Sequence, residues 1–486
     1  MVTLFTNRPE YFADIADEIR LFGFDTVTPA APEAAFLRVE LECGGAFTAR
    51  AVCTDGERSA EYNYSAAAPG GSALRVKRYE KRAVKIAAFR CMKKLFDAFT
   101  PWGSLTGIRP TRLLRELAED MGCEAALLYM RDEFDVSETK LGLADEIVRV
   151  QRPIMDTGSS RDVDVYVGIP FCRTRCLYCS FLSEVRTNKT DMAAYIAALK
   201  RDITLGAAIA RDAGSCIRSM YMGGGTPTVL TALELEDVLS HAIAAYGGFG
   251  CELTVEAGRP DTITRDKLEV MRGMGAQRIS INPQTMNEKT LELIGRSHGA
   301  QDIVRAYCMA REAGFRSINM DMIVGLPGED IDDVKRTLTS IASLSPENLT
   351  VHTLTVKRSS RLAQRLDEFP LPEACEADRM VELGRAAAAD MGMRPYYMYR
   401  QKYMRGNLEN VGYSKPGYEC VYNIDMMEET TSIMAHGAGA MSKRIFPGER
   451  RVERIPNPKD IGTYINKVDA VAREKAALFG MEAQND

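Results

Sequence analysis

The sequence predicts an α/β protein built around a partial (β/α)6 barrel, on three observations. First, six short β-branched runs alternate with helical stretches from about Asp162 onward, and such alternation implies a parallel sheet covered by helices. Second, six units fall short of the eight that close a full barrel, so the barrel stays open. Third, the residues with chemistry to offer stand just after these runs: a cysteine-rich loop, GGGTPT, Glu256, NPQ and GLPGE each close one. Sites in barrels of this kind collect at the C-terminal ends of the strands.

Taken in order, residues 1–155 read as an accessory α+β domain. AFLRVELEC and AFTARAVC alternate apolar and polar side chains, the pattern of antiparallel strands. LRVKRYEKRAVKIAAFRCMKKLFDAF, from Leu74, sets Arg75, Lys77, Arg78, Lys81, Arg82, Lys85, Lys93 and Lys94 against a stripe of Val76, Ala83, Ile86, Phe89, Leu95 and Phe96. This is a packed helix with a solvated basic face. SLTGIRPTRLLRELAED gives a Gly/Pro turn into another helix. Residues 156–358 form the barrel, with strands VDVYVGI, SMYMGG, ELTVEA, RISIN, INMDMIVG and NLTVHTL. Residues 359–486 lose the rhythm and read as a mixed, mostly helical region. Its GAGA run is too small-sided for a strand core, so it marks a close backbone approach.

Composition narrows the function. A chain of 486 residues implies two or three domains, and 45% hydrophobic with 27% charged residues is globular. A net charge of -5 speaks against general nucleic-acid binding. No window approaches the ~18 apolar residues of a membrane span. The N-terminus lacks a signal-peptide pattern, so a cytoplasmic location is expected. Twelve cysteines in a reducing compartment are not a disulfide framework. Cys43, Cys53, Cys91, Cys123, Cys216, Cys251, Cys308 and Cys375 are expected to be small buried hydrophobes.

Only Cys172, Cys176 and Cys179, in GIPFCRTRCLYCSF, are clustered. A redox pair would use Cys176 and Cys179 and leave Cys172 idle. A structural zinc site wants four ligands, and the nearest histidine in sequence is His241. An iron–sulfur cluster on three thiolates leaves one iron open, the mark of a catalytic site.

C-x-x-x-C-x-x-C with Tyr178 before the last cysteine resembles the signature of the radical S-adenosylmethionine (SAM) superfamily. That resemblance implies that Cys172, Cys176 and Cys179 hold a 4Fe-4S cluster whose open iron chelates SAM. Tyr166, GGGTPT, the Gln284–Arg296 segment and MDMIVGLPGE resemble the oxygen-independent coproporphyrinogen III dehydrogenase branch, over roughly residues 162–445. LTGIRPTRL and TVHTLTVKRSSRL are similar to its HemZ type. By motif, Tyr166 and Tyr178 would line cluster and SAM, and Gly224, Gly225 and Thr226 would meet the methionine amino group. Glu256 would hold SAM, Gln284, Arg296 and Asp321 would bind its methionyl and ribose parts, and Met441 would add a contact.

The branch implies oxidative decarboxylation of two propionates of coproporphyrinogen III to vinyls, giving protoporphyrinogen IX. It also implies a porphyrinogen or heme-like tetrapyrrole as partner and reduced flavodoxin or ferredoxin as electron donor. An anionic substrate wants cations, and Lys357, Arg358, Arg361, Arg394, Arg400, Lys402 and Arg405 are the candidates. One departure stands out: Phe181 occupies the place of a further cysteine in the dehydrogenases, a gap shared with the HemW heme chaperones. The HemW motif H-N-x-x-Y-W corresponds to CVYNIDMMEE around Asn423, which lacks the histidine and both aromatics. None of His241, His298, His352 and His436 has a heme-ligand context. A heme chaperone, or a radical SAM enzyme that methylates or opens heme, therefore stays beside the dehydrogenase reading.

Overall fold

The computed structural model describes residues 1–480 except 28–34, 71–72, 108, 181–183, 249, 403 and 447, with the Arg405 side chain also outside the description. Phe181 falls among the excepted residues. The described chain divides into two compact units, Met1–Asp145 with Arg400–Leu408, and Glu146–Tyr399 with Glu409–Asp486.

The first unit holds strands β1 (Val2–Thr6), β2 (Thr26–Val27), β3 (Phe36–Cys43), β4 (Ala46–Thr54) and β5 (Ser59–Ala67) in the order β2-β1-β3-β4-β5. The two runs read as strands are β3 and β4, antiparallel with Phe36 opposite Thr54 and Cys43 opposite Phe47. Their alternation has the expected cause: Leu37, Val39 and Leu41 are buried while Arg38, Glu40 and Glu42 face solvent. The basic helix, Ala73–Lys93, buries Ala83, Ile86 and Phe89. Its charges are largely spent within the unit, Lys81 on Asp14 at 2.8 Å, Lys85 on Glu18 at 3.1 Å and Lys93 on Asp135 at 3.1 Å. Arg400 belongs here too; buried, it lies 5.4 Å over the Trp102 ring and donates to the carbonyls of Leu105, Gly107, Asn407 and Leu408.

The second unit carries β6 (Asp162–Ile169), β7 (Phe171–Cys172), β8 (Glu184–Val185), β9 (Cys216–Gly224) and β10 (Glu252–Gly258). It continues with β11 (Arg278–Gln284), β12 (Ser317–Val324), β13 (Asn348–Thr353), β14 (Arg394–Tyr399) and β15 (Asn410–Ser414). It ends with β16 (Ser432–His436), β17 (Met441–Phe446) and β18 (Arg451–Pro456). The six predicted barrel strands pair in parallel in the sequence β6-β9-β10-β11-β12-β13. In β6, Val163, Val165, Val167 and Ile169 share one face and are fully buried, while the alternate positions carry Asp164, Tyr166 and Gly168 on the other.

The last region does not form a sheet of its own. β16 adds a seventh parallel strand beside β6, and β17 and β18 extend that edge antiparallel. β15 and β14 extend the other edge beyond β13. The close approach expected of the GAGA run is to the chain itself. Gly437, at φ +98°, sits so near β6 that a Cβ would come 2.2 Å from the Gly168 carbonyl oxygen. That turn is anchored by a buried ion pair between Asp202, on helix Met192–Asp212, and Lys475, on helix Ile461–Phe479, at 2.8 Å. Asp202 also accepts from the Gly437 N–H, the Asn457 amide and the Tyr464 hydroxyl.

The isolated cysteines depart from expectation. Cys53 and Cys91 are buried and in contact, but Cys43, Cys123, Cys216, Cys308 and Cys375 are exposed and Cys251 is half-buried. Most of the exposed ones stand at or near element ends (Cys43 closes β3, Cys216 opens β9, Cys123 opens a helix), where an apolar neighbourhood in sequence does not mean an interior place.

Candidate active site

The cysteine loop leaves the end of β6 and is held from several directions. The Leu177 N–H donates to the Ile294 carbonyl at 3.0 Å, and the Leu177 carbonyl accepts from the Leu362 N–H at 2.9 Å. The Leu177 side chain is buried with Ile294, Ile323, Leu326, Leu354 and Leu362, and Tyr178 packs on the same cluster. Cys176 and Cys179 form a tight turn, the Cys179 N–H on the Cys176 carbonyl at 3.2 Å. Two sulfurs have donors aimed at them: the Thr226 hydroxyl is 3.4 Å from Cys172 Sγ and the Arg259 guanidinium 3.8 Å from Cys176 Sγ. Such donors complement negative charge on sulfur, so the loop fits a cluster held by three thiolates. Among the described residues no three or more histidine, cysteine or acidic side chains are gathered as a metal-coordinating group.

The glycines after β9 serve the loop first. At Gly224, φ is +112° and a Cβ would lie 3.0 Å from the Ile169 oxygen; at Gly225 it would lie 2.5 Å from the Phe171 oxygen. The Gly225 and Thr226 N–H groups donate to those same two carbonyls, each at 2.8 Å. The space a side chain would need at these two positions is thus taken by the root of the cysteine loop. A ligand amino group asks for carbonyl acceptors, and the occupied N–H groups leave that open.

Around this root the structure brings together most of the other expected residues. Glu256 accepts from the Tyr221 hydroxyl at 2.6 Å. Burial pushes its carboxyl up to about 7, with Tyr221 opposing the rise and Asp321 adding to it. Asp321 accepts from the Asn319 amide at 2.6 Å and faces His352 Nε2 at 3.8 Å. Burial works against its charge, but His352 and Asn319 outweigh it and hold the carboxyl below its ordinary value. Gln284 is buried in the left-handed region, at φ +69°, and its Oε1 has no partner. A non-glycine residue there, with an orphaned buried oxygen, costs free energy that a polar ligand would offset. Arg296 is also buried, donating to the Tyr178 hydroxyl at 3.1 Å while its Nε lacks a partner. Met441 is exposed at the start of β17, outside the set these hydrogen bonds connect.

Sequence reasoning missed an aromatic group beside Glu256. Tyr166, on β6, stacks nearly parallel with Tyr221 at 6.4 Å and with Tyr422 at 6.2 Å, and the latter two are 4.6 Å apart. Tyr422 comes from helix Val421–Glu428, the stretch that corresponds to the HemW motif. Tyr221 is the register partner of Tyr166 in the parallel pairing of β6 with β9, so the two share a face. The four histidines are all engaged, His241 with Thr204, His298 with Asp261, His352 with Asp321 and His436 with Tyr246.

The sequence signature of the radical SAM superfamily matches residues 166–341. The "oxygen-independent coproporphyrinogen-III oxidase-like protein HemZ" of Bacillus subtilis (strain 168) is 38% identical over 380 residues, covering 77% of this chain and 76% of that protein. The chain belongs to the radical SAM superfamily, in its HemZ branch. A HemZ-type radical SAM protein uses a 4Fe-4S cluster and SAM, consistent with the loop and mouth described above. The heme chaperone HemW of Escherichia coli (strain K12) is 28% identical over 325 residues, 66% of this chain and 81% of that protein. Among solved structures, coproporphyrinogen III oxidase (HemN) from Escherichia coli, a radical SAM enzyme, superposes with a TM-score of 0.54 at 23% identity, covering 67% of this chain and 73% of HemN. This chain thus shares the fold of HemN. No helix among the described residues is long and apolar enough to cross a membrane.

Proposed function

We propose that this protein is an oxygen-independent coproporphyrinogen III dehydrogenase that converts two propionates to vinyls in the cytoplasm. The observation that carries the reading is the HemZ likeness, which runs through three quarters of both chains. When bound, the cluster and SAM supply the radical chemistry that breaks an unactivated C–H bond. The chain's own work is to hold and orient. Cys172, Cys176 and Cys179 would carry the cluster, with Thr226 and Arg259 complementing sulfur charge. Gln284, Arg296, Asp321, Glu256, Tyr166, Tyr178 and the carbonyls near Gly224 and Gly225 would hold SAM, with Met441 at the rim. The orphaned Gln284 Oε1 and Arg296 Nε are the polar atoms that such a ligand would satisfy. Positioning of this kind lets a reactive species meet one C–H bond rather than solvent. A reduced flavodoxin or ferredoxin would deliver electrons.

A heme-carrying role is the second reading, favoured by Phe181 and by the HemW likeness. Against it, the stretch that would carry the heme motif is a helix whose Tyr422, Ile424 and Asp425 are buried. The test is anaerobic. With reductant and SAM the reconstituted protein should form 5′-deoxyadenosine, and with coproporphyrinogen III it should release CO2 and yield protoporphyrin after oxidation. A loaded cluster with tight heme binding and no CO2 would overturn the dehydrogenase reading. Methylated or opened heme would identify the remaining alternative.

A further inference from the structure

The sequence offers seven cations for an anionic substrate, and the structure sorts them. Arg400 is buried in the first unit among backbone carbonyls, and Lys402 is paired with Asp17 at 2.6 Å. Arg394 opens β14 opposite Ser414, which pairs in turn with Asn348 at the start of β13. It therefore stands at the N-terminal end of the barrel strands, away from the cysteine loop. The Arg405 side chain lies outside the described residues.

Lys357, Arg358 and Arg361 are left, and all follow the C-terminal end of β13. Their loop is tied to the cysteine loop: the Arg175 guanidinium donates to the Ser359 carbonyl at 2.9 Å, and the Leu362 N–H to the Leu177 carbonyl at 2.9 Å. Val356, the residue before Lys357, packs on the cluster that also receives Tyr178. Arg358 and Arg361 are exposed, whereas Lys357 is half-buried. Among the described residues its ammonium makes no hydrogen bond or ion pair, and the one side chain acting on it electrostatically is Cys179. Other cations near the loop are engaged: Arg259 grips Asp261 at 2.9 Å and Arg186 grips Glu234 at 2.8 Å. A half-buried ammonium without a counter-charge is costly by itself and favourable once a carboxylate arrives.

We propose that Lys357, at the lip of the barrel beside the third cluster cysteine, receives a carboxylate of the tetrapyrrole substrate, with Arg358 and Arg361 forming a cationic approach. This rests on the dehydrogenase reading for the identity of the substrate. It goes beyond that reading in naming the residue that recognises a propionate.

The test uses the full chain, anaerobically reconstituted, and coproporphyrin III as a stable fluorescent tetracarboxylate probe, with its tetramethyl ester as the uncharged control. Lys357→Met should weaken coproporphyrin III binding roughly 10- to 100-fold, the worth of one charge-assisted hydrogen bond. The ester should bind both proteins alike, and Lys357→Arg should recover part of the loss. KM for coproporphyrinogen III should rise more than kcat falls. Equal coproporphyrin III binding by wild type and Lys357→Met would overturn the proposal, as would an equal loss of ester binding or a loss that tracks cluster content. If the methionine variant does not fold, failure of the wild type to prefer the tetracarboxylate over its ester overturns it equally. CO2 release by the wild type tests the dehydrogenase reading separately. Carboxylate-dependent binding without CO2 sinks that reading and keeps Lys357, whereas CO2 with Lys357-independent binding does the reverse.

Discussion

Lys475→Met probes the buried pair that anchors the Gly437 turn. The Lys475 and Asp202 side chains are 0% and 3% exposed and 2.8 Å apart. Removing one partner of such a pair leaves an uncompensated charge and costs about 3–5 kcal/mol. Here the carboxylate keeps three neutral donors, from Gly437, Asn457 and Tyr464. The variant, however, also loses the Lys475 bond to the Ala435 carbonyl at 2.7 Å. The expected loss is thus at the lower end, about 3 kcal/mol, or roughly 5–10 °C in Tm for a unit of this size. The pH dependence follows from the sign of the Asp202 shift. Burial alone would raise its pKa, but Lys475 and His436 outweigh burial and hold it far below the ordinary carboxylate range. In the wild type its contribution is therefore complete above the unfolded value of about 3.9 and is lost only as pH falls below it. Without the ammonium, His436 Nδ1, 3.1 Å away, and the three donors still face the carboxylate, so the folded pKa should rise from its wild-type value. The gap to wild type is then full above the unfolded value and narrows as pH falls below it. Urea denaturation at several pH values, with cluster content measured on each sample, reads both. A gap under about 1 kcal/mol, or one constant with pH, would refute the reasoning. So would a double variant, Asp202→Asn with Lys475→Met, less stable than Lys475→Met alone, because the double change removes the stranded charge.

The remaining predictions concern the mouth. Cys176→Ala should abolish the cluster absorbance and 5′-deoxyadenosine formation while far-UV circular dichroism is retained; collapse of the fold would mean that the loop is structural. Gly225→Ala places a Cβ 2.5 Å from the Phe171 oxygen, so it should lower iron content by displacing the cysteine loop, at a stability cost of about 1–3 kcal/mol. Tyr221→Phe removes a hydrogen bond that holds the Glu256 pKa down, so the carboxyl should titrate above the wild-type value of about 7. If the Glu256 carboxylate grips SAM, SAM affinity should rise with pH through that value, and the variant's midpoint should move upward. An unchanged midpoint in the SAM dissociation constant from pH 6 to 9 would separate Glu256 from SAM.

The barrel was legible because its physics is local. Runs such as Val163–Ile169 are short and rich in β-branched residues, with Val163, Val165, Val167 and Ile169 buried on one face, and so stand apart from the helical stretches between them. The helices announce themselves by caps such as Thr231 with Glu234, a reciprocal pair of side-chain-to-backbone bonds. The strands of residues 359–486 were not legible as part of the same sheet. β16 belongs to it only through pairing with β6, more than 250 residues earlier by sequence number, and nothing local in SIMAH encodes a neighbour so remote. Lys475 was equally hidden. A lysine in a helix is ordinarily solvated, and only the fold reveals that this one points at Asp202.

For the mouth, the useful lesson is phase. Along β6 and β9, Tyr166 and Tyr221 are register partners, and Ala435 of β16 pairs with Tyr166 on the other side. Side chains alternate across a strand, so once Tyr166 is assigned to the interior, Tyr221 must share it. Glu256 is reached by the same step, since a Cβ on Gly223, two residues past Tyr221, would lie 2.9 Å from its carboxyl carbon. It is the register of β6 with β9, rather than anything in the run SMYMGG itself, that sets Tyr221 beside Tyr166 and so beside Glu256. That register does not deliver Tyr422, which arrives on a helix from another part of the chain. This difference bears on the choice between the two functional readings. The stretch corresponding to the chaperones' heme motif is committed here to closing an aromatic stack against Tyr166 and Tyr221. That helix buries Tyr422, Ile424 and Asp425, so the stretch is spent on packing within the barrel.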